Sequence, residues 1–461
     1  MFSEGYFIIT ILFCMFIYIL SRYWMNNFEY RHLITKDRSS PEEICLDNAA
    51  TTPVFKSVLK AVCSFVPQYS SVHRGSGKKS QAASEIFEEC RRKVLGFVRG
   101  DSAHDVLIFT KNTTDSINKL SRQLAGSPKN TVICTEMEHH SNDLPWRKNF
   151  NVCYVRTDKF GWLCLNDYED KLRKLSNKIR LVAVTGASNV TGYINDIHQI
   201  AETAHKYGAE IFVDAAQLAP HVGIDMKTPE TAGHIDYLAF SSHKMYAPFG
   251  AGALISPRHT FSHGSPDHQG GGTVKLVTHD TVIWEDTPHR DEAGTPNLIG
   301  AVAMAAAVET LTSIGMKNIT QYEEELTCYA MEKLNNVPNI TLYSNTPEKT
   351  ESISVIPFNI NGIYHEELSF RLASEAGIAV RSGCFCAQPY VQKLLGLKRE
   401  EIHLHHINNA GTKRPGMVRI SFGLYNRKNE IDALVDYLFQ ITEKKKQNLI
   451  KRNEYAALKH F

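Results

Sequence analysis

From about residue 80 onward, short apolar runs alternate with longer stretches whose apolar residues recur every three or four positions. The runs VLIFT (106–110), TVICT (131–135), LVAVT (181–185), IFVD (211–214) and YLAF (237–240) have the length and apolar content of buried strands. Between them lie segments such as IHQIAETAHKYG (197–208), with helical spacing and a closing glycine. That alternation predicts a doubly wound α/β fold with a mainly parallel sheet. The alanine-rich stretch 297–313 is apolar nearly all round, which predicts a buried helix. Residues 320–445 alternate differently and end in the amphipathic NEIDALVDYLFQITEKKK, so a smaller second α/β domain is expected there.

One run stands apart from this scheme. Residues 6–20, YFIITILFCMFIYIL, are unbroken apolar sequence. They reach the roughly 20 residues a spanning helix needs when Gly5 and the stretch to Met25 are included. Glu4 precedes the run, no lysine or arginine does, and no small-residue cleavage site follows, so a signal peptide fits poorly. Arg22, Arg31, Lys36 and Arg38 all follow it, which places the rest of the chain on the cytoplasmic side of a membrane. The domain plan is then an anchor at 1–25, a polar linker at 26–43, a large domain at 44–315, a small domain at 316–445 and a basic tail at 446–461. Sequons at Asn112, Asn189, Asn318 and Asn339 offer a check, since the first two fall in segments argued below to form a cofactor site.

Composition narrows the class without naming it. With 43% hydrophobic and 22% charged residues over 461 positions, disorder, collagen and a small disulfide scaffold are excluded. The formal charge of +2 provides no global field for nucleic acid. Ten scattered cysteines, with Cys384-Phe385-Cys386 the only close pair, read as a reduced, cytosol-like set.

In a doubly wound sheet, ligands bind beyond the carboxyl ends of the strands. The five expected strands are followed there by Lys111-Asn112-Thr113-Thr114-Asp115, by Glu136-Met137-Glu138-His139-His140, by Ser188-Asn189-Val190-Thr191-Gly192, by Ala216-Gln217 after Asp214, and by Ser241-Ser242-His243-Lys244. Singly, each is better explained as a cap, a surface acid or a solvated lysine. Together they provide phosphate donors, an imidazole, a buried acid and a lysine. Those are the parts pyridoxal phosphate requires: a lysine for its aldehyde, an acid for its pyridine nitrogen and an anchor for its phosphate. Lys244 and Asp214 take the first two roles.

The chain resembles class V aminotransferase-fold enzymes, and most of all the cysteine desulfurase/selenocysteine lyase group. The resemblance is carried by LDNAATTP (46–53), VHRG (72–75), NTTDSIN (112–118), EMEHH (136–140), SNVTG (188–192), VDAAQ (213–217), SSHKMYAPFGAG (241–252), GGG (270–272), RDEAGTPN (290–297), VRSGCFCAQP (380–389) and RISFGLYN (419–426). It implies a fold-type I homodimer with active sites at the subunit interface. It further implies Lys244 as the Schiff-base lysine, Asp214 as the pyridine partner and His139 as the imidazole stacked on the ring. Asn189 and Gln217 match contacts to the ring face and its hydroxyl. Thr113, Thr114, Ser241 and His243 match the phosphate cradle, with Thr295 arriving from the partner subunit. Arg419 and Arg381 match the substrate-carboxylate clamp, and Cys386 the nucleophile that takes sulfur from cysteine and leaves alanine, before passing it to a protein acceptor.

Two departures accompany these matches. After VHRG the chain has Ser76-Gly77-Lys78, where members of the group often carry a histidine. The segment 401–416 is longer than in compact members, and its His403, His405 and His406 lack the cysteines or acids that would complete a metal site, so a surface loop is expected and no metal. Two other readings stay open: a different class V reaction, transamination or β-elimination, in which Cys386 is a bystander, and a silent scaffold, which the presence of Lys244, Asp214 and His139 opposes. The same clamp would hold cysteine or selenocysteine.

Overall fold

The computed structural model describes residues 30–35, 43–344, 352–398, 400–402 and 414–458, with side chains of the last helix described to 443. The expected anchor at 5–25 and the histidines of 403–406 lie outside the described residues. Among the described residues no single helix is long and apolar enough to cross a membrane.

A seven-stranded sheet forms the centre. Its strands are β1 (Asp105–Thr110), β2 (Thr131–Thr135), β3 (Asn151–Val155), β4 (Ile179–Thr185), β5 (Glu210–Asp214), β6 (Tyr237–Ser241) and β7 (Gly252–Pro257). The spatial order is β1-β7-β6-β5-β4-β2-β3. Every pair is parallel except those of β7, which runs antiparallel to β1 and β6. All five strands expected from apolar runs are present, at those positions. β7 and the half-exposed edge strand β3 were not anticipated. The run in β7 sits between Gly252 and Pro257, and such flanks read as a turn until neighbours on both sides supply its ladder.

The alanine-rich helix Leu298–Ile314 is buried along nearly its whole length. Its small side chains let it lie against the helices Lys56–Phe65 and Lys78–Phe97. Gly315, at φ 90°, then breaks the chain, and the helix Met316–Leu334 leaves at 77°. A second sheet follows, built from β8 (Ile340–Leu342), β9 (Val355–Ile360), β10 (Arg381–Gly383) and β11 (Met417–Ser421) in the antiparallel order β8-β9-β11-β10. It has its own apolar core, including Phe358, Ile420 and Phe422, closed by the C-terminal helix through Ile431 and Leu434.

Two junctions differ from the sequence-derived plan. Ile44 and Cys45 pair in parallel with Ile378 and Ala379, and Leu46 lies in the second core, so the chain enters through the smaller layer. Residues 30–35, inside the expected linker, pack on the body. Tyr30 is 8% exposed and meets Tyr322 edge-on at 5.4 Å, and Arg31 pairs with Glu430. Polarity made the segment look like a linker, but Tyr30 and Arg31 have partners far along the chain.

Candidate active site

The parallel strands converge on a cavity of about 260 Å³. Its lining includes Thr113, Thr114, His139, Asn189, Asp214, Gln217, Ser241, His243, Lys244, Arg381, Cys386 and Arg419. Of the site residues expected from the sequence, Thr295 alone is elsewhere. It is exposed, in a second cavity of about 480 Å³ that it shares with Gly270, Gly271 and Asn297.

The turn after β1 opens the helix Thr113–Leu124. Asn112 caps it by accepting from the Asp115 N–H at 3.0 Å. The Thr113 N–H donates to Ser241 Oγ at 2.8 Å, and the two hydroxyls lie 2.7 Å apart. Thr114 Oγ1 meets Ser141 Oγ at 2.7 Å. A helix N-terminus ringed by hydroxyls favours an anion such as phosphate. Gly252 makes the turn possible, because a Cβ there would stand 2.6 Å from Thr110 Oγ1 and 2.7 Å from the Asn112 backbone.

Lys244 follows β6 in a short 3-10 turn. Burial, with the Arg419 charge nearby, pushes its amine down to about 8 despite the opposing pull of Asp214. Asp214 ends β5 at 4% exposure, accepts from the Ala216 N–H at 3.0 Å, and is raised by burial. Burial lowers His139 to about 3, with Lys244 adding to the effect, so the imidazole is neutral and can stack on an aromatic ring. His243 is likewise lowered to about 4 by burial and Lys244.

The smaller sheet brings the arginines. Arg381 on β10 is register-paired with Arg419 on β11. Arg419 is 3% exposed, donates to the Asn189 carbonyl at 2.8 Å and reaches Asp47 at 3.1 Å. Arg381 is exposed and lies 3.6 Å from the same carboxylate. The loop bearing Cys386 is fastened over the cavity. The His140 N–H donates to the Cys386 carbonyl at 2.7 Å, and the Asn189 amide donates to the Phe385 carbonyl at 2.7 Å. Arg419 lies over the Phe385 ring at 4.8 Å. Phe385 and Cys386 both take left-handed backbone, at φ 51° and 55°. Consecutive non-glycine residues in that region are held by their surroundings, a pattern that clusters at functional sites.

The cavity fits pyridoxal phosphate on its own observations. Gln217 Oε1 is buried with no partner while its amide donates to the Ala49 carbonyl, which leaves an acceptor free for a ligand hydroxyl. Arg419 Nε is also buried and unpaired. Asp214 is a buried acid suited to a cationic pyridinium, and the hydroxyl-ringed helix end suits a phosphate. Sequence reasoning missed three contributors. Asp47 spans both arginines, Ser141 joins the hydroxyl ring, and Glu138 ties β2 to β4 by accepting from Thr135 Oγ1 at 2.6 Å and the Thr185 N–H at 3.0 Å. The motifs LDNAATTP and EMEHH contain Asp47 and Glu138, but Asp47's partners are more than 300 residues distant.

A lysine, an acid and an imidazole on strand ends of one α/β sheet define a pyridoxal phosphate-dependent enzyme. The model of the aminotransferase class-V family matches residues 44–434. A cysteine desulfurase from Haloferax volcanii is 34% identical over 402 residues, spanning 85% of this chain and 88% of that protein. The apo cysteine desulfurase of Thermococcus onnurineus NA1 superposes with a TM-score of 0.78 at 30% identity, covering 90% of this chain and 97% of the other. The Escherichia coli cysteine desulfurase CsdA, solved as its S-sulfonic acid, gives 0.75 at 28% identity, covering 90% and 98%. The chain belongs to the class V aminotransferase family, within its cysteine desulfurase branch.

Proposed function

We propose that this protein converts L-cysteine to L-alanine and carries the released sulfur as a persulfide on Cys386. The observation that carries the reading is the placement of Cys386, on a strained and fastened loop, in the same cavity as Lys244, Asp214 and Arg419. Pyridoxal phosphate supplies the electron sink when bound. Asp214 would hold its pyridine nitrogen, His139 would cover its ring, Gln217 would face its hydroxyl, and Thr113, Thr114, Ser241 and His243 would surround its phosphate. Arg419, aided by Arg381, receives the substrate carboxylate in place of Asp47, as a planar guanidinium does well. The Lys244 amine, neutral in a large share of molecules near pH 8, takes the Cα proton. The Cys386 thiolate attacks the substrate sulfur. The new S–S bond forms as the substrate's Cβ–S bond breaks, and protonation at Cβ followed by return of a proton to Cα completes alanine. Cysteine and the Cys386 thiol thus become alanine and a Cys386 persulfide, which a thiol acceptor then reduces.

The test uses protein beginning at residue 26, loaded with pyridoxal phosphate and given L-cysteine and a reductant. Equimolar alanine and sulfide are expected, falling at least 100-fold in Cys386→Ala, on the order of what loss of a catalytic nucleophile removes. Pyruvate in place of alanine, or an unaffected variant, would overturn the reading. L-selenocysteine, held by the same carboxylate clamp, is expected to be accepted too. Two assignments extend the proposal. Residues 5–25 hold the enzyme to a membrane with its body in the cytoplasm, a reading supported by the apolar run and the basic residues after it. The protein is a homodimer whose Thr295 reaches the partner's phosphate site, supported by its exposure outside its own cavity.

A further inference from the structure

The opposite end of the sheet carries a cluster that the desulfurase chemistry leaves unused. Asp236 immediately precedes β6, so it lies a full strand away from Lys244, roughly 15–20 Å at about 3.3 Å per residue. His205 occupies the last turn of the helix Ile197–Lys206, and His234 sits on the loop leading to Asp236. His205 Nε2 is 2.9 Å from Asp236 Oδ2, and His234 Nε2 is 3.2 Å from Asp236 Oδ1. The other nitrogen of each ring is also committed. His205 Nδ1 is 2.8 Å from the Ala232 carbonyl, and His234 Nδ1 is 2.8 Å from the Thr231 carbonyl.

A carbonyl oxygen can only accept, so each Nδ1 carries its ring proton. In a neutral ring Nε2 then presents a lone pair, and here both lone pairs face a carboxylate. Acceptor meets acceptor twice, and the gap calls for positive charge. Two protons would supply it, and Asp236 does raise both rings against their burial, but the rings are stacked at 4.2 Å with planes 22° apart. Two imidazolium charges at that separation repel. One divalent ion shared by both Nε2 atoms and the carboxylate meets the same need without that repulsion. A histidine whose Nδ1–H donates to a backbone carbonyl, leaving Nε2 to ligate, is the usual orientation of a metal-binding ring.

The surroundings fix this arrangement before any ion arrives. Asp236 Oδ2 also accepts from the Ile211 N–H at 2.8 Å, which sets the carboxylate plane. The Gly233 carbonyl lies 2.7 Å from His198 Nδ1, and a Cβ on Gly233 would stand 2.9 Å from the His198 carbonyl, so the loop can rest on the helix there only as glycine. The ligand atoms lie within 4.8 Å of one another. Side-chain exposures of 20%, 19% and 12% leave the cluster shielded yet reachable from solvent. Asp105 and Glu230 add negative charge around His234.

We propose that His205, His234 and Asp236 form a structural site for a divalent transition-metal ion, pinning the helix end and the 231–236 loop to the amino ends of β5 and β6. Two imidazoles and a carboxylate, with a water completing a tetrahedron, suit zinc.

The test uses full-length holoenzyme purified without a histidine tag and equilibrated with micromolar zinc at pH 7.5. Metal content, the zinc X-ray absorption fine structure, and thermal unfolding with and without a chelator are measured. One zinc per chain is expected, in a shell of nitrogen and oxygen near 2.0–2.2 Å. Chelation should lower Tm by several degrees, and His205→Gln or Asp236→Asn should lose both the zinc and the chelator response while keeping the cofactor absorbance. A sulfur shell near 2.3 Å would assign the ion to a thiol such as Cys386 and overturn the proposal. So would undiminished zinc in the folded variants, or wild-type protein with no bound zinc and a Tm that zinc leaves unmoved.

Discussion

At the scale of single residues, burial sets the working state of the site. Lys244 combines an amine lowered to about 8 with a nearby carboxylate that resists the lowering. For a cationic group the neutral form grows as pH rises through its pKa, so capture of pyridoxal phosphate by the apoenzyme should accelerate from pH 7 to 9 with a midpoint near 8. In Asp214→Asn the opposing charge is gone, and the midpoint should move below that value. Stopped-flow absorbance against pH reads both, and a midpoint unmoved by the substitution would show that Asp214 does not act on Lys244. His139 is lowered to about 3 and stays neutral across this range, so it adds no second inflection.

At the scale of the element, the 384–387 loop is the part whose shape is least like a regular structure and most tied to function. Its left-handed Phe385 and Cys386 rely on bonds from His140 and Asn189, and the Gln388 N–H donates to His140 Nε2 at 3.2 Å. His140→Ala removes that last acceptor but keeps the backbone bond to Cys386. A hydrogen bond of this kind is worth about 1 kcal/mol, so desulfuration should fall about fivefold. The cofactor spectrum should not change, because His140 does not line the cavity. Loss of cofactor along with activity would mean that the loop and the binding site cannot be separated. Gly252 belongs to the same scale: it lets β7 pass close to the phosphate turn, which no local pattern in the sequence indicates.

At the scale of the whole molecule, residues 30–35 are part of the fold. Tyr30 and Ile34 are 8% and 6% exposed, and burying a side chain of that size contributes roughly 1.5–3 kcal/mol. Protein beginning at residue 26 should therefore match the full chain in Tm, whereas protein beginning at residue 40 should melt lower. Equal melting temperatures would show that the Tyr30 contact with Tyr322 adds nothing in solution. The two cores are joined by the break at Gly315 and by the return of residues 44–46 to the smaller sheet.

The alternation of apolar runs was enough to place five strands of the central sheet and the buried helix, because strand and helix periodicity are local properties of the chain. The residues following those strands were legible for the same reason: in a doubly wound sheet the carboxyl ends face the ligand, and Lys244, Asp214 and His139 occupy them. What lay beyond local pattern was decided by contacts across hundreds of residues. Asp47 meets Arg419 and Arg381 only after two sheets have packed, β7 becomes a strand only between β1 and β6, and Tyr30 meets Tyr322 only in the folded chain. The His205, His234 and Asp236 cluster is of this second kind, since its spacing in the sequence matches no metal motif and the fold alone brings the three side chains together.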